Sequence, residues 1–83
     1  MSYFVYILKC SDESLYTGIT TNITKRLDEH NNSEKGAKYT KNRRPVKLVY
    51  QESSENRSSA SKREYAIKKL TRLKKLQLID GIF

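Results

Sequence analysis

Three short runs rich in aromatic and β-branched residues, separated by segments of helical periodicity, predict an α+β domain: a small three-stranded antiparallel sheet flanked by helices. The first two runs are joined by only four polar residues, which makes them an antiparallel hairpin. The chain has 83 residues, room for one domain spanning residues 1–83 with one small core. A chain of this size hides only about 60–65% of its unfolded surface, so stability should be marginal.

The first strand is predicted over Tyr3 to Cys10, followed by a turn at Ser11-Asp12-Glu13-Ser14 and a returning strand over Leu15 to Thr20. Parity is informative here. Tyr6 and Tyr16 are both even-numbered, and directly opposed residues of an antiparallel pair share a face. A loop of odd length, such as Asp12-Glu13-Ser14, puts both rings on one face; a two-residue loop separates them.

Thr21 or Asn22 can cap a helix running to about Asn31. Ile23 and Leu27 mark its core face, while Arg26 and His30, also four apart, share a neighbouring face. A polar, basic loop is expected from Asn32 to Arg44. Pro45 precedes a third strand, Val46 to Gln51, in which Val46, Leu48 and Tyr50 alternate with Lys47 and Val49. A second polar loop covers Gln51 to Arg57. Ser58 or Ser59 caps a helix to roughly Thr71, and a shorter helical piece spans Leu73 to Ile79, with Gly81 in a tail.

Charge narrows the partners. Seventeen Lys and Arg against nine Asp and Glu give a net charge of +8, which favours a polyanion. One cysteine, Cys10, and one histidine, His30, exclude an internal disulfide and a Cys/His zinc set. No apolar stretch is long enough to span a membrane, and the N-terminus lacks the pattern of a signal peptide. These features predict a cytoplasmic protein in a reducing compartment.

Several side chains could carry chemistry. Glu64 falls at the edge of the stripe formed by Ala60, Ile67 and Leu70. A carboxylate there needs a cation, a metal or a hydrogen-bond role. Ser61-Lys62-Arg63-Glu64 also fits a capping box, and Arg63 or Lys68 could pair with it. Arg26 offers a planar fork suited to phosphate, or pairs with Asp28, Glu29 or His30. His30 is a base, a donor or a structural polar group. Tyr6 and Tyr16 are ordinary strand residues by type, and Gly18 beside them admits close approach of a ligand or backbone. Lys38, Tyr39, Thr40, Lys41, Arg43 and Arg44 in the basic loop, with Arg63 and Lys68 on the last long helix, are the candidate nucleic-acid contacts. Tyr39 could stack on an unpaired base. Charge runs on helices are equally a solvated face.

In order and spacing, Phe4-Val5-Tyr6, Tyr16-Thr17-Gly18, Arg26, His30 and Glu64 resemble the GIY-YIG nuclease domain, with FVY and YTG standing for its two tripeptides. The segments Lys25-Arg26-Leu27-Asp28-Glu29-His30-Asn31 and Arg43-Arg44-Pro45-Val46 extend the likeness, which runs from Tyr3 to Ile79. The chain is similar to small stand-alone bacterial members and to the catalytic module of excision-repair and homing endonucleases. The resemblance implies a three-stranded sheet wrapped by helices. It implies catalytic roles for Tyr6, Tyr16, Arg26, His30 and Glu64, with Glu64 binding a single Mg²⁺ or Mn²⁺ ion. One carboxylate is chemically sufficient for Mg²⁺, which keeps its waters and adds phosphate oxygens. The expected function is a metal-dependent phosphodiesterase on nucleic acid, DNA ahead of RNA, with a targeting protein as a source of sequence specificity. A non-catalytic nucleic-acid-binding module and a basic protein-interaction domain are the alternatives.

Overall fold

The computed structural model describes residues 2–81. In chain order its elements are β1 (Tyr3–Lys9), β2 (Leu15–Thr20), α1 (Ile23–Asn32), α2 (Lys38–Lys41), β3 (Lys47–Ser54), α3 (Arg57–Lys68) and α4 (Arg72–Asp80). Strand order is β2-β1-β3, both pairings antiparallel, with the most apolar strand in the middle. This is the expected sheet. Helices cover both faces of it: Val5 and Ile7 meet Ala60, Ile67 and Leu78 of α3 and α4, while Tyr6 and Leu8 pack with Val46 against Ile23 and Leu27 of α1. Alternation along one central strand therefore feeds two cores.

The β1–β2 turn is a three-residue loop, Ser11-Asp12-Glu13, one residue earlier than expected. Glu13 N–H donates to Cys10 C=O at 3.0 Å, Cys10 N–H donates to Ser14 C=O at 2.8 Å, and Glu13 takes a positive φ of 71°. That is a type I turn closed by a left-handed residue. The loop is odd in length, so Tyr6 pairs with Gly18 and Leu8 with Tyr16, and both tyrosines lie on the α1 face.

The third strand differs from expectation in two ways. It continues to Ser54, beyond Gln51, because the central strand offers partners as far as Tyr3. It also carries a bulge: Ile7 pairs with Tyr50 but Leu8 with Leu48, leaving Val49 extra. Tyr50 and Val49 consequently both join the α3 core, while Leu48 faces α1.

Asn22 caps α1 by accepting Lys25 N–H at 3.0 Å. The expected Asn32–Arg44 loop contains the one-turn helix α2, pinned by buried Thr40. Asn31 then ties α1 to the entry of β3, accepting Val46 N–H at 2.7 Å and donating to Val46 C=O at 3.0 Å. The α3 cap is Asn56, not Ser58 or Ser59, and accepts Ser59 N–H at 2.9 Å. Glu64 is thus mid-helix, and the Ser61–Glu64 capping box is not formed. The helix ends at Lys68, and Thr71 caps a separate α4 that Gly81 closes in a left-handed conformation.

Candidate functional site

Hairpin register places Tyr6 over β2. An added Cβ on Gly18 would lie 2.5 Å from Tyr6 Oη and 2.7 Å from Cζ, so the absent side chain is the seat of the Tyr6 ring. Tyr16, diagonal to it, stands with its ring centroid 6.5 Å away. Tyr6 is 2% exposed and Tyr16 half-buried.

From the facing helix, His30 enters fully buried. Its Nε2 lies 2.8 Å from Tyr6 Oη, and its Nδ1 lies 2.8 Å from Thr40 Oγ1. The Tyr16 ring meets the imidazole edge-on at 5.2 Å. Burial pulls the His30 ring down to about 4; Arg26 and Arg44 add to this, with Glu29 opposing. It is neutral at physiological pH. Burial pushes the Tyr6 hydroxyl up to about 12; the Arg26 guanidinium works against this, while Tyr16 and Glu64 add to it.

Arg26, one turn before His30, is anchored through Nη1. Its Nη1 donates to Glu29 Oε1 at 3.0 Å and to Lys35 C=O at 2.8 Å. The guanidinium is aimed at Tyr6 closely enough to act on its hydroxyl. Glu64 stands on α3, and its negative charge adds to the upward push on the Tyr6 hydroxyl. Tyr6, Tyr16, Arg26 and His30 thus come together from β1, β2 and α1, with Glu64 contributing charge from α3.

Glu64 is 23% exposed at its side chain, and Lys68 Nζ sits 3.3 Å from its Oε2. Among the described residues no hydrogen bond is made to Oε1. No group of three or more His, Cys, Asp or Glu is placed to hold a metal among them either. A single hard, accessible carboxylate suits Mg²⁺ or Mn²⁺, which keep water and phosphate ligands, and not a closed zinc cage.

The expected nucleic-acid contacts divide. Lys38, Lys41 and Lys68 are exposed, and Tyr39 is partly so. Thr40 is fully buried and bonded to His30, so it is withdrawn from any surface contact. Arg44 clamps the end of α1, donating from Nε to His30 C=O at 2.6 Å and from Nη2 to Ser33 C=O. Arg63 donates from Nε to both oxygens of Glu52 at 3.0 Å. Arg43 bonds Asp12 at 3.0 Å and lies 3.9 Å over the Tyr39 ring, which itself stacks on Tyr16 with centroids 6.0 Å apart. One face of Tyr39 is therefore already covered. Asn31 and Asp12 are supporting residues that the sequence reading did not single out, whereas Glu29 is one of the partners it offered for Arg26. The spacing of Glu29 from Arg26 was the signal for that pair; Asp12 and Arg43 are too far apart in sequence to suggest each other.

With this geometry in view, comparison with known proteins is informative. Residues 2–77 match the model of the GIY-YIG catalytic domain. A UPF0213 protein of Desulfotalea psychrophila is 60% identical over 80 residues, covering 96% of this chain and 73% of its own length. One from Clostridium perfringens is 66% identical over 78 residues, covering 94% of this chain and 83% of its own. The solution NMR structure of a UPF0213 protein from Bacillus halodurans aligns with a TM-score of 0.61 at 45% identity, covering 96% of this chain and 84% of that one. An E. faecalis protein, also solved by NMR, aligns at 0.67 and 48%, covering 98% and 85%. The three-stranded antiparallel sheet with flanking helices is common to this chain and those structures.

Proposed function

The chain belongs to the GIY-YIG catalytic-domain family, and we propose that it is a metal-dependent phosphodiesterase acting on nucleic acid with low sequence specificity. The observation that supports this most is the meeting of two tyrosines, an arginine and a neutral histidine, with Tyr6 seated on Gly18 and the charge of a half-buried carboxylate on α3 felt at its hydroxyl.

Arg26 is the phosphate clamp. With Nη1 committed to Glu29 and Lys35, its remaining donors are oriented without prior binding, and its charge is permanent. Glu64 would hold one Mg²⁺ or Mn²⁺, which when bound supplies positive charge to the phosphate and the leaving oxygen. Tyr16 is the more accessible phenol and positions the attacking water. Tyr6 is too deeply protonated to exist as a phenolate at neutral pH, so it works as a bonded relay to the free imidazole of His30. By analogy with the family, cleavage leaves a 5′-phosphate and a 3′-hydroxyl. The preferred polymer is DNA, the compartment the cytoplasm, and a targeting protein supplies site choice.

The Lys68–Glu64 pair at 3.3 Å is the one observation favouring a non-catalytic nucleic-acid-binding module, since an ammonium there competes with a metal. Incubating the protein with supercoiled plasmid, single-stranded DNA and RNA, with Mg²⁺ or Mn²⁺ and with chelator, separates the two. Cleavage that requires the cation, disappears in Glu64→Ala and falls roughly 100-fold or more in Arg26→Ala supports the nuclease. Salt-sensitive binding by wild type and Glu64→Ala alike, with no cleavage of any polymer, supports the binding module.

A further inference from the structure

The buried threonine of the basic loop has a function that its sequence position does not suggest. We propose that Thr40 is a positioning residue that fixes His30 in its Nδ1–H tautomer, so that Tyr6 is obliged to donate its proton to Nε2. The inference deepens the nuclease reading above, on which its catalytic consequence rests.

Proton counting gives the direction. Thr40 Oγ1 has one hydrogen and lies 3.0 Å from Ala37 C=O, which can only accept. The same oxygen lies 2.8 Å from His30 Nδ1. With its hydrogen on the Ala37 carbonyl, which also receives the Thr40 and Lys41 N–H groups at 3.1 Å, the oxygen accepts at Nδ1, so Nδ1 carries the ring proton. Nε2 is then a bare lone pair, and the 2.8 Å contact to Tyr6 Oη is a donation from the phenol. The other tautomer would make Nε2–H donate to Tyr6. Among the described residues the phenol proton, in a side chain 2% exposed, would then have no acceptor. An unpartnered buried donor is costly, which disfavours that arrangement. The chain of donors runs from Tyr6 through His30 and Thr40 to the backbone of Ala37.

The consequence lies at Tyr6 Oη. With its hydrogen turned inward, the oxygen presents only lone pairs to Arg26 and to an incoming water. As that water's oxygen forms its bond to phosphorus and the P–O3′ bond breaks, the water's proton passes to Tyr6 Oη while the Tyr6 proton passes to Nε2, and the departing 3′ oxygen takes a proton from solvent. The resulting imidazolium keeps Thr40 as acceptor for Nδ1–H, and a phosphate paired with Arg26 screens the nearest positive charge.

Long-range ¹H–¹⁵N correlation spectra of the ¹⁵N-histidine-labelled protein at pH 7 read the tautomer of this single histidine directly, with no dependence on activity. The expected result is protonated Nδ1 and bare Nε2 in wild type, the same pattern in Thr40→Ser, and reversal in Thr40→Val. If the nuclease reading is right, Thr40→Val lowers kcat by roughly 100-fold at unchanged DNA affinity, and Thr40→Ser restores it. Protonated Nε2 in wild type, or in Thr40→Ser, overturns the proposal, as does an Nδ1–H form that persists in folded Thr40→Val. A wild-type protein with the expected tautomer and no cleavage of any polymer overturns the nuclease reading and leaves the tautomer assignment standing.

Discussion

Replacing Gly18 with alanine tests the seating of Tyr6, on which the rest of the site depends. The new Cβ would lie 2.5 Å from Tyr6 Oη, 2.7 Å from Tyr6 Cζ and 3.2 Å from Tyr16 Cε2. Carbon contacts are comfortable at about 3.5–4.0 Å, so the ring must retreat by roughly 1 Å. It has no free path, being 2% exposed with its hydroxyl held 2.8 Å from His30. Overpacking of a tight core costs about 1–3 kcal/mol, and a lost buried hydrogen bond about 1 kcal/mol more. A total of about 2–4 kcal/mol lowers the Tm of a domain this small by roughly 10–30 °C. Thermal unfolding followed by circular dichroism measures it. In a Tyr6→Phe background the nearest contact is gone while the Cζ contact stays, so the alanine should cost about 1 kcal/mol less there. An alanine variant that melts with wild type, its His30 signals unmoved, would refute the seating of the ring on Gly18.

Acidification should destabilise the fold through His30. Its ring is held at about 4 in the folded protein against an ordinary 6.5, so the unfolded chain binds the proton first. Stability is then complete above about pH 6.5 and is lost as pH falls towards 4, by an amount on the order of 1–3 kcal/mol. Urea midpoints at pH 7 and pH 5 measure it, and a His30→Gln variant should lack this part of the slope. Arg44→Lys should lower stability by about 1–2 kcal/mol, because an ammonium cannot span the carbonyls of His30 and Ser33 that the guanidinium bridges. Urea denaturation reads this directly, and an unchanged midpoint would mean that the clamp contributes nothing.

Much of the fold was legible because backbone geometry enforces it. Side-chain alternation puts Tyr6 and Tyr16 on one face for any odd turn, so misplacing the turn by one residue did no harm. Helical spacing likewise brought Arg26 and His30 to one side of α1. What stayed hidden depended on tertiary partners. The bulge at Val49 resets the parity of β3, and no local signal marks it. The segment from Ser53 to Ser59 offers Ser53, Ser54, Asn56, Ser58 and Ser59 as caps of α3, and Asn56 prevails because β3 runs on to Ser54. Thr40 read as a surface residue because its neighbours are basic and polar. Its burial follows from the acceptor need of His30, ten residues earlier.

The positive charge of the chain separates into two populations. Arg26, Arg43, Arg44 and Arg63 are half-buried and bonded to protein groups, at Glu29, Asp12, the α1 carbonyls and Glu52. Lys38, Lys41, Lys62, Lys69 and Lys74 stand exposed, as do Arg57 and Arg72. Guanidinium forks suit fixed geometry, whereas hydrated ammonium groups act as point charges that any phosphate satisfies. The lysines therefore supply a sequence-independent field that salt weakens, and Arg26 supplies orientation inside the site. On the nuclease reading this predicts a split. Raising salt from about 50 to 200 mM should raise KM steeply, since each phosphate contact contributes to the logarithmic slope, while kcat changes little because Arg26, Tyr6 and His30 are set by internal bonds. Lys38→Glu with Lys41→Glu should flatten the salt dependence of KM and leave kcat alone. A kcat that falls in parallel with KM's rise would mean that the lysines position the scissile phosphate themselves, and that the two populations are not separate.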